Sequence, residues 1–218
     1  MKNLKYLTIS ILPLMWSVYF LFEILTGRVK DLPTIIGNIA LIILFALVGF
    51  YFYKLSQKYP QGFKCKTIII IFSILMVIDQ GIKLIIKFFF FEDYIDIIKG
   101  FLSFNPIINT DGSWLNARFS TGISFPLLIF VNFIAIVLFF ELYRYYLSKG
   151  NNSFYGDMCF LFIFSGSLCS LIDKIFYGGS LDFIGISNLF IADIKDIYIN
   201  LGILFFIISI VISGYLTE

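Results

Sequence analysis

The 218-residue chain contains no histidine. Ser-His and Cys-His nucleophilic catalysis are therefore excluded, and the commonest ligand for zinc and other transition metals is missing. Charge is scarce as well: Asp, Glu, Lys and Arg make up 14% of the residues, against about a quarter in an ordinary soluble domain. The three cysteines, Cys65, Cys159 and Cys169, are odd in number and lack a CxxC spacing, so a disulfide framework is not expected. There is no internal repeat, and the net charge of +2 is unremarkable as a sum. Nothing in this composition calls for a metal, a cofactor or a nucleic-acid partner.

What the chain has in excess is apolar surface, with 60% hydrophobic residues and a mean hydropathy of +0.95. Lipid must cover that excess. The chain reads as an all-α polytopic membrane protein of about six transmembrane helices with a small β-rich extracytoplasmic cap, too short for a further soluble domain. The first apolar run, residues 4–25, starts like a signal peptide behind Lys2 and Lys5. It is long for an h-region, and no small-x-small site follows before Arg28 and Lys30, so it is expected to be a retained helix kinked at Pro13. With a second span at 33–53 it forms a hairpin. The following loop, 54–66, has four lysines and no acidic residue, which places it in the cytoplasm. Spans at 67–90, 123–140, 154–172 and 197–216 then alternate, leaving both termini inside; only Arg28 and Lys30 offend the charge bias. Two units follow from this division. Residues 1–66 are the hairpin and its cytoplasmic loop, and 67–218 a four-helix core. Residues 91–121 form the cap, with short strands suggested by the alternation from Tyr94 to Phe104. Trp114 is a candidate interface anchor.

Span counting gathers the polar residues at one boundary: Asp79, Lys83, Asn109, Asp173, Lys174, Asp182 and Asp193. Asp182 follows the Gly178-Gly179 turn, and Asp193 comes eleven residues later, just before the last apolar run. A carboxylate at that depth is costly to desolvate and usually has a task or a partner. Two such groups close together cannot both ionise easily and tend to share a proton. The ionised member can then take a proton from an attacking water while the protonated member polarises a carbonyl. The plainer reading is that Asp182 and Asp193 cap flanking helices or pair with Lys83 and Lys174. Asp79 and Lys83, one turn apart, suit an ion pair. Asp173 and Lys174 suit a bracket on the loop, and Ser170 with Lys174 makes a conceivable nucleophile pair.

At these residues the chain resembles the lipoprotein signal peptidase family, signal peptidase II, over about residues 68–215. Asp79-Gln80-Gly81-Ile82-Lys83 matches the family's D-Q-x-x-K. Asn109-Thr110-Asp111-Gly112-Ser113-Trp114 stands in the place of its N-x-G-x-x-F. Cys169-Ser170-Leu171-Ile172-Asp173-Lys174 and Ser180-Leu181-Asp182-Phe183 stand for G-N-x-x-D-R and V-V-D-F, and Leu189-Phe190-Ile191-Ala192-Asp193 for F-N-x-A-D. The chain departs from the pattern at Ser170, Lys174, Asp111 and Phe190. The resemblance implies that Asp182 and Asp193 are the catalytic dyad of a membrane aspartic endopeptidase. Asp79, Lys83, Asn109, Ser170, Asp173 and Lys174 would be its supporting or substrate-binding residues. It implies a lipid-modified prolipoprotein substrate, cut before the lipid-bearing Cys, at the extracytoplasmic face of a bacterial cell membrane.

Membrane lipid is the other expected partner, and a monomer the expected state. The alternatives are a non-catalytic or re-purposed relative that binds lipidated peptides, and a transporter, which the absence of mid-membrane charge disfavours. The hairpin is expected to be peripheral to the chemistry. Phe190→Asn, which restores the family residue, is expected to be tolerated or helpful.

Overall fold

The computed structural model describes residues 2–112, 114–120 and 122–212. Ser113, Thr121, the end of the sixth expected span beyond 212, and the side chain of Trp114 lie outside the described residues. Among those described, six helices are long and apolar enough to cross a membrane. They are α1 (Lys2–Leu25), α2 (Leu32–Lys58), α3 (Cys65–Ile85) continued by a π-turn over Ile86–Phe90, α5 (Phe125–Ser148), α6 (Phe154–Phe176) and α7 (Ile194–Ile212). A short α4 (Trp114–Phe119) precedes α5. The chain is thus a multi-pass membrane protein, and its helices start and stop where local chemistry directs. Asp31 caps α2 by accepting from the Thr34 backbone N–H at 2.8 Å, with Pro33 in the first turn. Ser153 caps α6 by accepting from Gly156 N–H at 3.0 Å.

Helix α6 is the most buried span. Its residues Phe154, Tyr155, Met158, Leu161 and Phe162 join Leu204, Phe205 and Ile208 of α7 and Ile11 and Phe52 of the hairpin in the main core. The Phe205 ring lies 5.0 Å from Phe52 and edge-on to it, a favoured aromatic geometry. The outer faces of α3 and α5 leave Ile69, Val77, Phe130 and Leu138 more than half exposed, as lipid-facing surfaces do.

A four-stranded antiparallel sheet, ordered β1-β2-β3-β4, closes one end of the bundle. Strands β1 (Ile95–Ile98) and β2 (Leu102–Asn109) come from the segment expected to form a cap. The other half, β3 (Ser180–Ile186) and β4 (Phe190–Ala192), comes from the connection between α6 and α7. Strand β3 is buried on both faces and so shows no clear alternation, and its strand character emerges only on pairing with β2. Two glycines make the pairing possible. Gly178 takes φ 68° at the exit of α6, and a Cβ on Gly179 would meet the Asn109 carbonyl oxygen at 2.8 Å.

Candidate active site

The sheet brings the two aspartates together by register and by capping. Asn109 on β2 lies opposite Ser180 on β3, and side chains two apart on a strand share a face. Ser180 and Asp182 therefore point the same way, with Asn109 beside them. Asn109 Nδ2 donates to Asp182 Oδ2 at 2.9 Å, and Ser180 Oγ donates to Asp182 Oδ1 at 2.5 Å.

Asp193 sits where β4 gives way to α7. Its Oδ1 accepts from the Asp196 N–H at 3.2 Å, while Asp196 Oδ2 accepts from the Asp193 N–H at 3.1 Å, a reciprocal cap. Its Oδ2 faces inward and meets two ammonium groups, Lys83 Nζ at 2.6 Å and Lys195 Nζ at 2.5 Å. Asp193 thus caps α7 with one oxygen and pairs with Lys83 through the other.

Asp182, Asp193 and Asp196 each offer an oxygen, and the three lie within 4.8 Å of one another. That spacing would suit a cation, and Lys195 supplies one: its Nζ is also 3.6 Å from Asp182 Oδ1, 3.6 Å from Asp173 Oδ2 and 3.9 Å from Asp196 Oδ1. It donates to Ser180 Oγ as well. Lys195 was not among the residues singled out from the sequence. The signal was present, because a lysine in the first turn of a helix opposes the helix dipole and needs another reason to be there.

Behind the pair lies a network centred on buried charges. Lys83 Nζ reaches Asp79 Oδ2 at 2.9 Å and Asp173 Oδ2 at 2.6 Å. Gln80 Nε2 spans Asp79 at 2.9 Å and Asp173 at 3.0 Å. Asp79, Lys83, Asp173 and Asp193 have no exposed surface. Burial of this kind is tolerable only when every charge has partners.

Ser170 and Lys174 sit apart from this network: Lys174 Nζ donates to Ser170 Oγ at 2.5 Å and to its carbonyl at 3.5 Å. Asp173 braces Lys83, and the adjacent Lys174 braces its own helix. Asp111 uses its backbone N–H to donate to Asn109 Oδ1 at 3.1 Å, which orients the amide toward Asp182.

The two aspartates are biased in opposite directions. Burial raises the Asp182 carboxyl above the ordinary carboxylate range. The Lys195 charge and the bonds from Ser180 and Asn109 oppose that rise, whereas the Asp193 charge adds to it. Burial would raise Asp193 too, but Lys195 and Lys83 outweigh it and hold that carboxyl below the ordinary range. Asp182 therefore holds a proton more tightly than an ordinary carboxyl and Asp193 less tightly, a split in the direction that separates acid from base.

Fold and site together define a multi-pass membrane protein with a buried aspartate pair under a small sheet. The family model described as "Signal peptidase (SPase) II" matches residues 70–212. The chain belongs to the signal peptidase II family. Among solved structures, one titled as a bacterial membrane enzyme by the in meso method at 2.3 Å resolution is similar at a TM-score of 0.57. It has 20% identity, over 73% of this chain and 96% of that one. A second of the same description, at 1.9 Å resolution, is similar at a TM-score of 0.55 and 22% identity, over 70% of this chain and 96% of that one. No curated protein matches the chain.

Proposed function

We propose that this protein is a membrane aspartic endopeptidase that removes signal peptides from diacylglyceryl-modified prolipoproteins, with Asp182 and Asp193 as its catalytic pair. Family membership supports a lipoprotein signal peptidase-like function. The observation that carries the finer reading is the convergence of two oppositely biased carboxylates within 4.8 Å, a separation that one attacking water can span.

In this reading the Asp193 carboxylate takes a proton from that water as its oxygen attacks the scissile carbonyl carbon. The Asp182 carboxyl gives its proton to the carbonyl oxygen, producing a neutral diol. Asp193 then passes its proton to the leaving amide nitrogen, the C–N bond breaks, and Asp182 recovers a proton from the diol hydroxyl. Asn109 and Ser180 orient Asp182, and Lys83 and Asp173 fix Asp193 from behind. The substrate's acyl chains would stay in lipid while its peptide bond enters the polar site. We place the site at the extracytoplasmic face of the bacterial cell membrane and read the functional unit as a monomer.

The test is purified full-length protein in lipid vesicles with a diacylglyceryl-modified prolipopeptide, the product being identified by mass as one that begins at the lipid-bearing Cys. Its pH profile should be a bell. Activity falls at low pH as Asp193 gains a proton and at high pH as Asp182 loses one. Lys83 on α3, Asp173 on α6, Ser180 and Asp182 on β3, and Lys195 and Asp196 on α7 face Asp193, and Lys195 also faces Asp182. Removing a cation raises a neighbouring carboxyl. Lys195→Met is therefore expected to move both limbs of the bell to higher pH. A rate lowered by one factor at every pH would mean that Lys195 only supports the fold.

One observation favours a second reading. Asp193 already has two ammonium partners, so the site is compensated without substrate, as a lipidated-peptide binder would require. Wild type that binds the lipopeptide, never cleaves it, and binds equally well with both aspartates replaced would select that reading.

Orientation has its own test. Cys65 is exposed in the basic loop, and Lys99 is exposed at the sheet end. In a background without Cys159 and Cys169, an impermeant thiol reagent added to intact cells should label Lys99→Cys in a chain also lacking Cys65. It should miss Cys65 in its own chain. Labelling of both from one side would overturn the topology.

A further inference from the structure

We infer that the α1–α2 hairpin is a positioning element of the active site, holding the β3–β4 turn and hence Asp193; the catalytic part of this inference rests on the proposed peptidase reading. The hairpin lies outside the matched residues 70–212, yet in the structure it is not peripheral. Its outer end grips the turn from Ser187 to Phe190 at every residue. Thr34 Oγ1 pairs with Ser187 Oγ at 2.5 Å. Arg28 Nη2 donates to the carbonyls of Asn188 at 2.7 Å and Leu189 at 2.6 Å. The Phe190 ring sits edge-on to Tyr19 at 5.5 Å and to Trp16 at 6.0 Å.

Arg28 is itself fixed by Glu23 at 3.2 Å, a carboxylate with no exposed surface. This accounts for the arginine that offends the charge bias: it is bound in the turn. The same Glu23 meets Arg118 of α4 at 3.7 Å, so the hairpin also holds the short helix that follows β2.

The physical need is plain. Strand β4 has three residues, pairs on one side only, and delivers Asp193 directly after Ala192. So short an edge strand holds its place poorly without further contacts. The aromatic residue at 190 also finds its explanation here. A polar Asn would face two aromatic rings, whereas Phe fills the space between them, so the extra helices and this departure from the family pattern form one adaptation. Phe190→Asn is accordingly expected to be harmful, the reverse of what the motif alone suggests.

The experiment uses full-length protein in lipid nanodiscs, with Arg28→Met, Phe190→Asn and the milder Phe190→Leu. Two quantities are read: amide hydrogen exchange across residues 187–193, and kcat and KM on the lipopeptide. Exchange in that segment is expected to rise by about tenfold or more while α6 and α7 keep their protection. The value of kcat should fall by at least about tenfold with KM nearly unchanged, because small misplacement of a reacting group is enough to cost that much. Wild-type exchange at 187–193 in Arg28→Met and Phe190→Leu overturns the inference, as does a rise spread equally through α6 and α7. A wild-type protein that cleaves nothing refutes the peptidase reading instead, and the exchange measurement still decides whether the hairpin holds the turn.

Discussion

Asp182→Asn and Asp193→Asn are each expected to lower cleavage of a lipidated prolipopeptide by about 10²–10⁴-fold, the usual span for losing a positioned acid or base. Both proteins should still reach the membrane at normal levels. Asn at 182 has one oxygen left to accept from either Ser180 or Asn109, and it has no acid proton to give the carbonyl oxygen. Asn at 193 keeps an oxygen for the α7 cap, but cannot take a proton from water. The double variant should be little worse than either single one, because a pair that works as a unit fails when one member is lost. Asp173→Asn is the contrasting case. It touches Lys83 and Gln80 and should disturb stability more than chemistry. Cleavage within a few-fold of wild type in either dyad variant would exclude the mechanism.

Lys83→Met should have the largest effect on stability. It leaves Asp79, Asp173 and Asp193 facing one another without exposed surface, with Lys195 close to only two of them. Breaking a buried ion pair from one side costs about 3–5 kcal/mol, and here one cation serves three carboxylates. The unfolding midpoint in a denaturing-detergent titration should fall sharply. Adding Asp79→Leu should restore part of the loss, since it removes one stranded charge. A midpoint unchanged by Lys83→Met would mean the network carries no net charge there, and would undercut the assignment of Asp193 as the ionised partner.

Much of this arrangement was legible in the sequence. Apolar runs of about twenty residues can hardly be anything but membrane spans, so the six helices and the hairpin followed from length and hydropathy. The Asp79–Lys83 pair followed from helical spacing, and the gathering of Asp182 and Asp193 from span counting and motif order. These are local or additive properties, and a chain in lipid has few ways to satisfy them.

Tertiary structure decided the rest. Strand β3 exists because its backbone pairs with β2 more than seventy residues earlier in the chain, and no periodicity in a short connection reports a distant partner. Lys195 became the central cation because the cap at Asp193 turns the first helical turn inward. Phe190 stood out from the sequence as a lost polar residue; in three dimensions it fills an aromatic socket built by a hairpin far away in the chain. Local sequence determines which segments cross the bilayer. Which charges share a proton depends on distances of a few ångströms between segments, and only the packed fold sets those.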